Sequence, residues 1–151
     1  MALLNLNDKA YEYYKMINPI EHSRTKEAVN KYKVEPYVVA ADVYGKYNLA
    51  GRGGWTWYTG SSSWMYIAGI KYILGLNIEN GILKLKPHIP QNWNGYSIRF
   101  KYGDSLYNLR VNRGENIEKT EKVIIINGIE QNSEEIILDK SGKIYNIEIQ
   151  I

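Results

Sequence analysis

The chain has 151 residues, with 19 Lys and Arg against 16 Asp and Glu, a formal net charge of +3 and no cysteine. This length suffices for one ordinary domain or two partial ones. The basic residues are scattered among the acidic ones, so the charge pattern gives no indication of nucleic-acid binding. The lack of cysteine excludes a disulfide framework and agrees with a cytoplasmic location. The apolar runs are too short to predict a membrane segment.

The first half of the chain predicts short helices. A first helix is capped by Asn7 or Asp8 and ends at Asn18-Pro19. A second helix has Thr25 as its cap and runs to about Tyr32. The apolar side of the first helix consists of Ala10, Tyr13, Tyr14 and Ile17.

Two apolar segments farther along predict buried helices. Residues 37–41 follow Glu35-Pro36, and proline at the first position favours a helix over a strand. The other helix begins within Ser61-Ser62-Ser63, runs to Ile73 and stops at Gly75. It is apolar nearly all round, so we expect it to be buried. Together the predicted helices are too few to cover each other, so we expect an α-helical domain to continue upstream of Met1.

From about Asn77 onward, alternating apolar and polar residues predict short antiparallel strands. Asn127-Gly128 is a strong hairpin signal. Helices followed by strands indicate an α+β fold in two layers or two domains, not a parallel α/β sheet. The predicted strands cover residues 82–85, 96–100, 105–111, 123–126, a segment from Ile129, 136–138 and 145–151. The last of these places Tyr145, Ile147, Ile149 and Ile151 on one face, as a half-buried antiparallel strand requires.

Candidate chemistry falls in the glycine-rich and tryptophan-rich run 51–63. Thr59-Gly60 and the serines after it bring hydroxyls and free backbone N–H groups to the start of a predicted helix, which is an anion site in principle. Arg52 either adds a bidentate contact to a phosphate or carboxylate or faces solvent. The alternative is that Thr59 or Ser61 merely caps the helix.

Trp55, Trp57 and Glu35 have two interpretations each. The indole rings either stack on sugars or close a core. Glu35 is either a helix cap or a polar group that faces a cavity. No second His or Cys stands at a metal-ligand spacing, so no metal site is predicted.

Several motifs, in sequence order, resemble the C-terminal end of glycoside hydrolase family 94. The resemblance covers the chain up to about Val111. The segments Val-Val-Ala-Ala-Asp-Val-Tyr at 38–44 and Gly-Gly-Trp-Thr-Trp-Tyr at 53–58 resemble its β-1,2-glucan branch, that is, β-1,2-oligoglucan phosphorylases and cyclic β-1,2-glucan synthases. The motifs are residues 18–20, 32–44, 51–61, 64–66, 73–76, 87–90 with Trp93, Gly95 and Tyr96, and 102–103.

The resemblance implies an (α/α)6 barrel followed by a small antiparallel β-sandwich. Residues 1–78 would be the C-terminal helices of the barrel catalytic domain, and residues 79–151 the sandwich. Family members are inverting phosphorylases that act on a β-glucan oligosaccharide. Inorganic phosphate is the co-substrate, no cofactor is needed, and α-glucose 1-phosphate is released. Many are dimers, so a homo-oligomer is also expected.

The resemblance assigns phosphate binding to Thr59 and Gly60, which match a Thr-Gly pair of the family. Glu35, Arg52, Trp55 and Trp57 are candidate substrate-pocket residues. The family's general-acid Asp belongs to a segment upstream of Met1, so we expect no catalytic residue in this chain and no activity without the missing N-terminal part. The rival hypothesis is a non-catalytic carbohydrate-binding or interaction module.

Overall fold

The computed structural model describes residues 1–57, 59–114 and 122–151, and for Thr59 it describes the backbone alone. These residues form two compact units, Met1–Ile73 and Leu74–Ile151. The first is mainly helical and the second consists of strands, so the chain has a mixed fold of helices and sheets. No helix in the described part is long and apolar enough to cross a membrane.

The first unit contains short helices and one small strand pair. The helices are α1 (Asn7–Ile17), α2 (Lys26–Tyr32) and α3 (Thr59–Ile67), which continues into a π-helical segment, Ala68–Ile73. Single 3-10 turns cover Ala2–Leu4 and Glu21–Ser23. Strand β1 (Asp42–Val43) pairs antiparallel with β2 (Gly53–Gly54).

Local signals predicted α1 and α2 well. Thr25 caps α2 as expected, because its hydroxyl oxygen accepts a hydrogen bond from the backbone nitrogen of Ala28 at 3.1 Å. The predicted cap of α1 is wrong, since Leu6 occupies the N-cap position and makes no side-chain cap. The predicted apolar side of α1 is confirmed. Ala10, Tyr13, Tyr14 and Ile17 line an apolar groove of about 370 Å³ together with Met65, Ala68 and Tyr72 of α3 and its extension.

The predicted helix over residues 37–41 does not form. The backbone nitrogen of Val38 donates to the carbonyl of Glu35 at 3.1 Å, which closes a turn, and the chain then leads into β1. Val38 and Val39 are buried, so the apolar character of residues 37–41 predicted burial correctly but not a helix. A short apolar run satisfies either state, and here hydrogen bonding to a distant segment decides between them.

The prediction for α3 is wrong in two respects. The helix begins at Thr59, before the serines. It also does not bury its whole circumference, since Trp64 is 71% and Tyr66 is 69% exposed. The described elements of the first unit are too few to surround a helix that is apolar on every side.

The second unit consists of two sheets. The predicted strands are confirmed, and one strand that the sequence analysis missed, β3, precedes them. The five-stranded sheet has the order β5-β6-β10-β7-β8 and the three-stranded sheet the order β3-β4-β9. The strands are β3 (Leu76–Glu79), β4 (Ile82–Leu85), β5 (Gly95–Tyr102), β6 (Ser105–Asn112), β7 (Val123–Ile126), β8 (Ile129–Gln131), β9 (Glu135–Ile137) and β10 (Ile144–Gln150).

One hydrophobic core lies within this unit and draws side chains from both sheets, as in a small sandwich. Leu83 and Ile136 come from the three-stranded sheet, and Leu109, Ile147 and Ile149 from the five-stranded sheet. The predicted inward face of β10 is therefore confirmed. Its predicted direction is only half right, because β10 runs antiparallel to β7 and parallel to β6. Alternation reports which face is buried and not the direction of the neighbouring strand.

Candidate functional site

A hairpin from Ala41 to Trp55 positions the candidate site in the first unit. Beyond the β1–β2 pair, the backbone nitrogen of Tyr44 donates to the carbonyl of Arg52 at 2.9 Å. At the other end, the nitrogen of Ala41 donates to the carbonyl of Trp55 at 3.1 Å. The hairpin thus delivers Trp55 and Trp57 just ahead of the start of α3.

Two buried glycines allow this hairpin to pack closely. A Cβ atom on Gly53 would lie 2.3 Å from Cγ2 of Val34, and one on Gly54 would lie 2.4 Å from Oδ1 of Asp42. Both distances are shorter than real Cβ contacts allow, so a larger residue at Gly53 would press on Val34, whereas at Gly54 the ends of the exposed Asp42 and Tyr44 side chains can turn aside. Tyr32 packs beside Gly53, and burial raises the pKa of its hydroxyl.

Trp57 and Glu35 meet through a direct hydrogen bond. The indole Nε1 donates to Oε1 of Glu35 at 3.3 Å. The ring of Tyr37 stands edge-on to the indole, with ring centroids 5.9 Å apart. Since no helix follows Glu35, its interpretation as a helix cap is wrong. Its carboxylate instead orients the Trp57 ring.

The backbone of both tryptophans is unusual. Trp55 has φ 46° and Trp57 has φ 64°, in the left-handed region that bulky residues rarely adopt. Such a conformation costs roughly 1–3 kcal/mol per residue and is commonest at functional sites. Trp55 is 73% and Trp57 is 65% exposed, so neither ring closes the core of this chain. Both present apolar surface to solvent.

Arg52, Thr59 and Gly60 complete the set predicted from sequence. Arg52 is exposed, and within the described part of the chain its guanidinium makes no hydrogen bond or ion pair. Thr59 is the first residue of α3, but its side chain and the whole of Tyr58 lie outside the described residues. Gly60 is exposed, and a Cβ atom added there would meet nothing within 4 Å.

The structure therefore brings Glu35 and Trp57 into contact. It shows no contact of the Arg52 side chain with either residue. Sequence reasoning missed Tyr37, whose place two residues after Glu35 was the available signal. In the described residues, no group of three or more His, Cys, Asp or Glu is arranged to hold a metal ion.

Each of the two units matches a known protein family over all or part of its length. Residues 1–75 match the catalytic domain of the glycosyl hydrolase 94 superfamily. Residues 76–120 match the C-terminal domain of glycosyl hydrolase family 65. The chain belongs to glycoside hydrolase family 94.

Relatives of this chain include a glucan synthase and several phosphorylases. The cyclic β-(1,2)-glucan synthase NdvB of Rhizobium meliloti is 39% identical over 132 residues, which is 87% of this chain and 5% of that protein. The N,N'-diacetylchitobiose phosphorylase of Vibrio proteolyticus is 29% identical over 126 residues, 83% of this chain and 15% of that protein. The solabiose phosphorylase of Paenibacillus borealis is 29% identical over 119 residues, 74% of this chain and 14% of that protein. The chain thus spans a small fraction of the length of each relative.

Proposed function

We propose that this chain is the C-terminal part of an inverting glycoside phosphorylase that acts on β-linked glucans. In the proposed reaction a phosphate oxygen attacks the anomeric carbon and the β-glucosidic bond breaks. A carboxylic acid from outside these 151 residues protonates the leaving oxygen, which yields α-glucose 1-phosphate and a shortened glucan. Phosphate itself is the nucleophile, so no second carboxylate is needed to activate water.

The match of residues 1–75 to a family 94 catalytic domain carries this proposal. The phosphorylases among the relatives support phosphate as the co-substrate. The identity to a cyclic β-(1,2)-glucan synthase supports a β-1,2-linked glucan. We propose further that residues 1–78 complete an (α/α)6 barrel, which would cover the exposed side chains of Trp64 and Tyr66.

Within this scheme Thr59 donates its hydroxyl and Gly60 its backbone N–H to the phosphate. The start of α3 adds the positive end of the helix dipole at the same point. Gly60 suits close approach of an anion, because in the described part of the chain a Cβ atom built there meets nothing within 4 Å. Trp55 and Trp57 offer exposed rings for sugar stacking, and the Glu35 carboxylate holds the second of these rings.

The experiment is a phosphorolysis assay of the purified chain with β-1,2-gluco-oligosaccharide and inorganic phosphate. We expect no α-glucose 1-phosphate, because loss of the general acid alone typically costs about 10²–10⁴-fold in rate. Release of the sugar phosphate would show that the chain holds its own acid. A parallel binding titration tests the alternative, a non-catalytic carbohydrate-binding module. That alternative predicts glucan binding without any phosphate binding at Gly60.

A further inference from the structure

The outer face of the five-stranded sheet carries a polar groove in the second unit. Its lining residues lie on the central part of β5, β6 and β10, and the groove has a volume of about 390 Å³. The buried Leu109 and Ile147 and the half-buried Ile98 are register partners and alternate with the outward side chains along their strands. The outward side chains of the groove are Ser97, Arg99, Asn108, Arg110, Asn146 and Glu148.

Two arginines lie on adjacent strands of this face. Arg99 is the register partner of Asn108, and Arg110 is the partner of Ser97, so the arginines occupy diagonal positions on adjacent strands. Diagonal neighbours on an antiparallel pair are about 7–8 Å apart, within reach of long side chains converging on one group. Over the described ranges, neither guanidinium makes a hydrogen bond or an ion pair. Both guanidinium groups are therefore available to donate paired hydrogen bonds to an oxyanion.

The β10 side of the groove has a different character. Glu148 is the register partner of Arg110, yet within the described part of the chain the two form no ion pair. The side-chain amide of Asn108 donates to the Oδ1 atom of Asn146 at 3.0 Å, which fixes both amides. This leaves an amide donor, an amide acceptor and a carboxylate acceptor facing the groove. Such groups suit hydroxyls, and a carboxylate there disfavours a ligand that is anionic along its whole length.

We propose that this groove binds a phosphorylated monosaccharide. The phosphate lies between Arg99 and Arg110, and the sugar hydroxyls contact Asn146 and Glu148. The groove volume of about 390 Å³ falls in the range of small-molecule sites and exceeds the needs of a bare phosphate ion. The groove belongs to the second unit, whereas the phosphate contacts proposed for α3 belong to the first, and the proposal does not depend on those contacts.

The test is an NMR titration of the full chain, followed at backbone amides. The probes are α-glucose 1-phosphate, inorganic phosphate and glucose. The sugar phosphate should shift the amides of residues 97–99 and 108–110 saturably, and each of the other probes should bind at least about tenfold more weakly, since each lacks one set of contacts. The double variant Arg99→Gln, Arg110→Gln should weaken binding by about tenfold or more.

Arg24→Gln is the matched control, because Arg24 is an exposed arginine in the first unit that pairs with Glu21 at 2.7 Å. It should leave the titration unchanged. If the double variant does not fold, Arg99→Lys takes its place. Lysine keeps the positive charge but cannot make the bidentate contact of a guanidinium, so this variant should weaken binding about threefold. Equal binding by wild type and double variant would overturn the proposal, and so would equal binding of inorganic phosphate and sugar phosphate. Shifts confined to α3 would overturn it while leaving the proposed function intact.

Discussion

The indole nitrogen of Trp57 donates a hydrogen bond to the Oε1 atom of Glu35 at 3.3 Å, across 22 positions of sequence. This bond connects the turn before β1 with the segment that leads into α3. Trp57 has φ 64°, so the contact restrains a residue whose backbone is already in an unfavourable region. The Trp57 ring is thereby held in one orientation while most of its surface stays exposed.

Removing the acceptor should loosen Trp57. Glu35→Ala should lower the free energy of unfolding by about 0.5–1.5 kcal/mol, the usual contribution of one hydrogen bond. The indole N–H resonance of Trp57 should move toward its solvent-exposed position. Glu35→Gln is the matched control, because its amide oxygen still accepts the bond. If both variants leave the indole resonance unchanged, Glu35 does not orient this ring.

Gly53 should not tolerate alanine, whereas Gly54 should tolerate it better. A Cβ atom at Gly53 lies 2.3 Å from Cγ2 of Val34, while one at Gly54 lies against the ends of the exposed Asp42 and Tyr44 side chains. Gly53→Ala should destabilise the first unit by about 1–3 kcal/mol, as overpacking does, and Gly54→Ala by less, because those side chains can turn away. Gly45→Ala is the control, because a Cβ atom there meets nothing within 4 Å. Denaturant unfolding measures the stability of all three variants, and a Gly53→Ala variant as stable as Gly45→Ala would contradict the close packing of Gly53 against Val34.

Asp139 should make the second unit sensitive to acid. Hydrogen bonds from Ser141 and Tyr145 lower the pKa of Asp139 to about 2, from an ordinary value of 3.8. A carboxyl with a depressed folded-state pKa stabilises the fold above its unfolded pKa, and this contribution is lost as pH falls through the folded value. The melting temperature of the second unit should therefore fall between about pH 4 and pH 2.

Asp139→Asn should flatten that pH dependence, because it removes the titrating group. Asp104→Asn, a change of the same kind in the turn between β5 and β6, should leave the pH dependence in place. If the melting temperature of Asp139→Asn falls between about pH 4 and pH 2 as in wild type, other carboxyl groups cause most of the acid sensitivity. The same contact raises the pKa of Tyr145 to about 12, so its stabilisation should be lost between about pH 10 and pH 12.

The two units should differ in hydrogen exchange. The main hydrophobic core lies entirely in the second unit, whereas the first exposes large apolar side chains such as Leu3, Leu4 and Trp64. Amides of β6 and β10 should be protected far longer than those of α1 and α3. Helices as protected as the strands in a monomer would contradict this expectation. The exposed apolar surface should also promote self-association at high concentration.

Local chemistry made part of this fold predictable. Thr25 specified the start of α2, and alternation in β10 specified its buried face, because both signals involve neighbours in sequence. The entry of Ala41 into the hairpin and the parallel pairing of β10 with β6 were not predictable, because Ala41 and β10 form their hydrogen bonds with distant segments. The site shows the same division. The sequence placed the tryptophans in a glycine-rich run before a predicted helix, but it decided neither their exposure nor the contact between Trp57 and Glu35, because both depend on which distant residues pack nearby.

Phosphate titration of the purified chain, followed at the backbone amide of Gly60, tests the central claim most directly. A Cβ atom at Gly60 or at Gly45 meets nothing within 4 Å, so alanine should be tolerated by the fold at both positions. We predict a saturable shift of the Gly60 amide in wild type and in Gly45→Ala. In Gly60→Ala, the amides of the first turn of α3 should report phosphate binding at least about tenfold weaker than in wild type, because a side chain blocks close approach of the anion. No saturable shift in wild type, or equal phosphate binding by both variants, would contradict the assignment of a phosphate site to the start of α3.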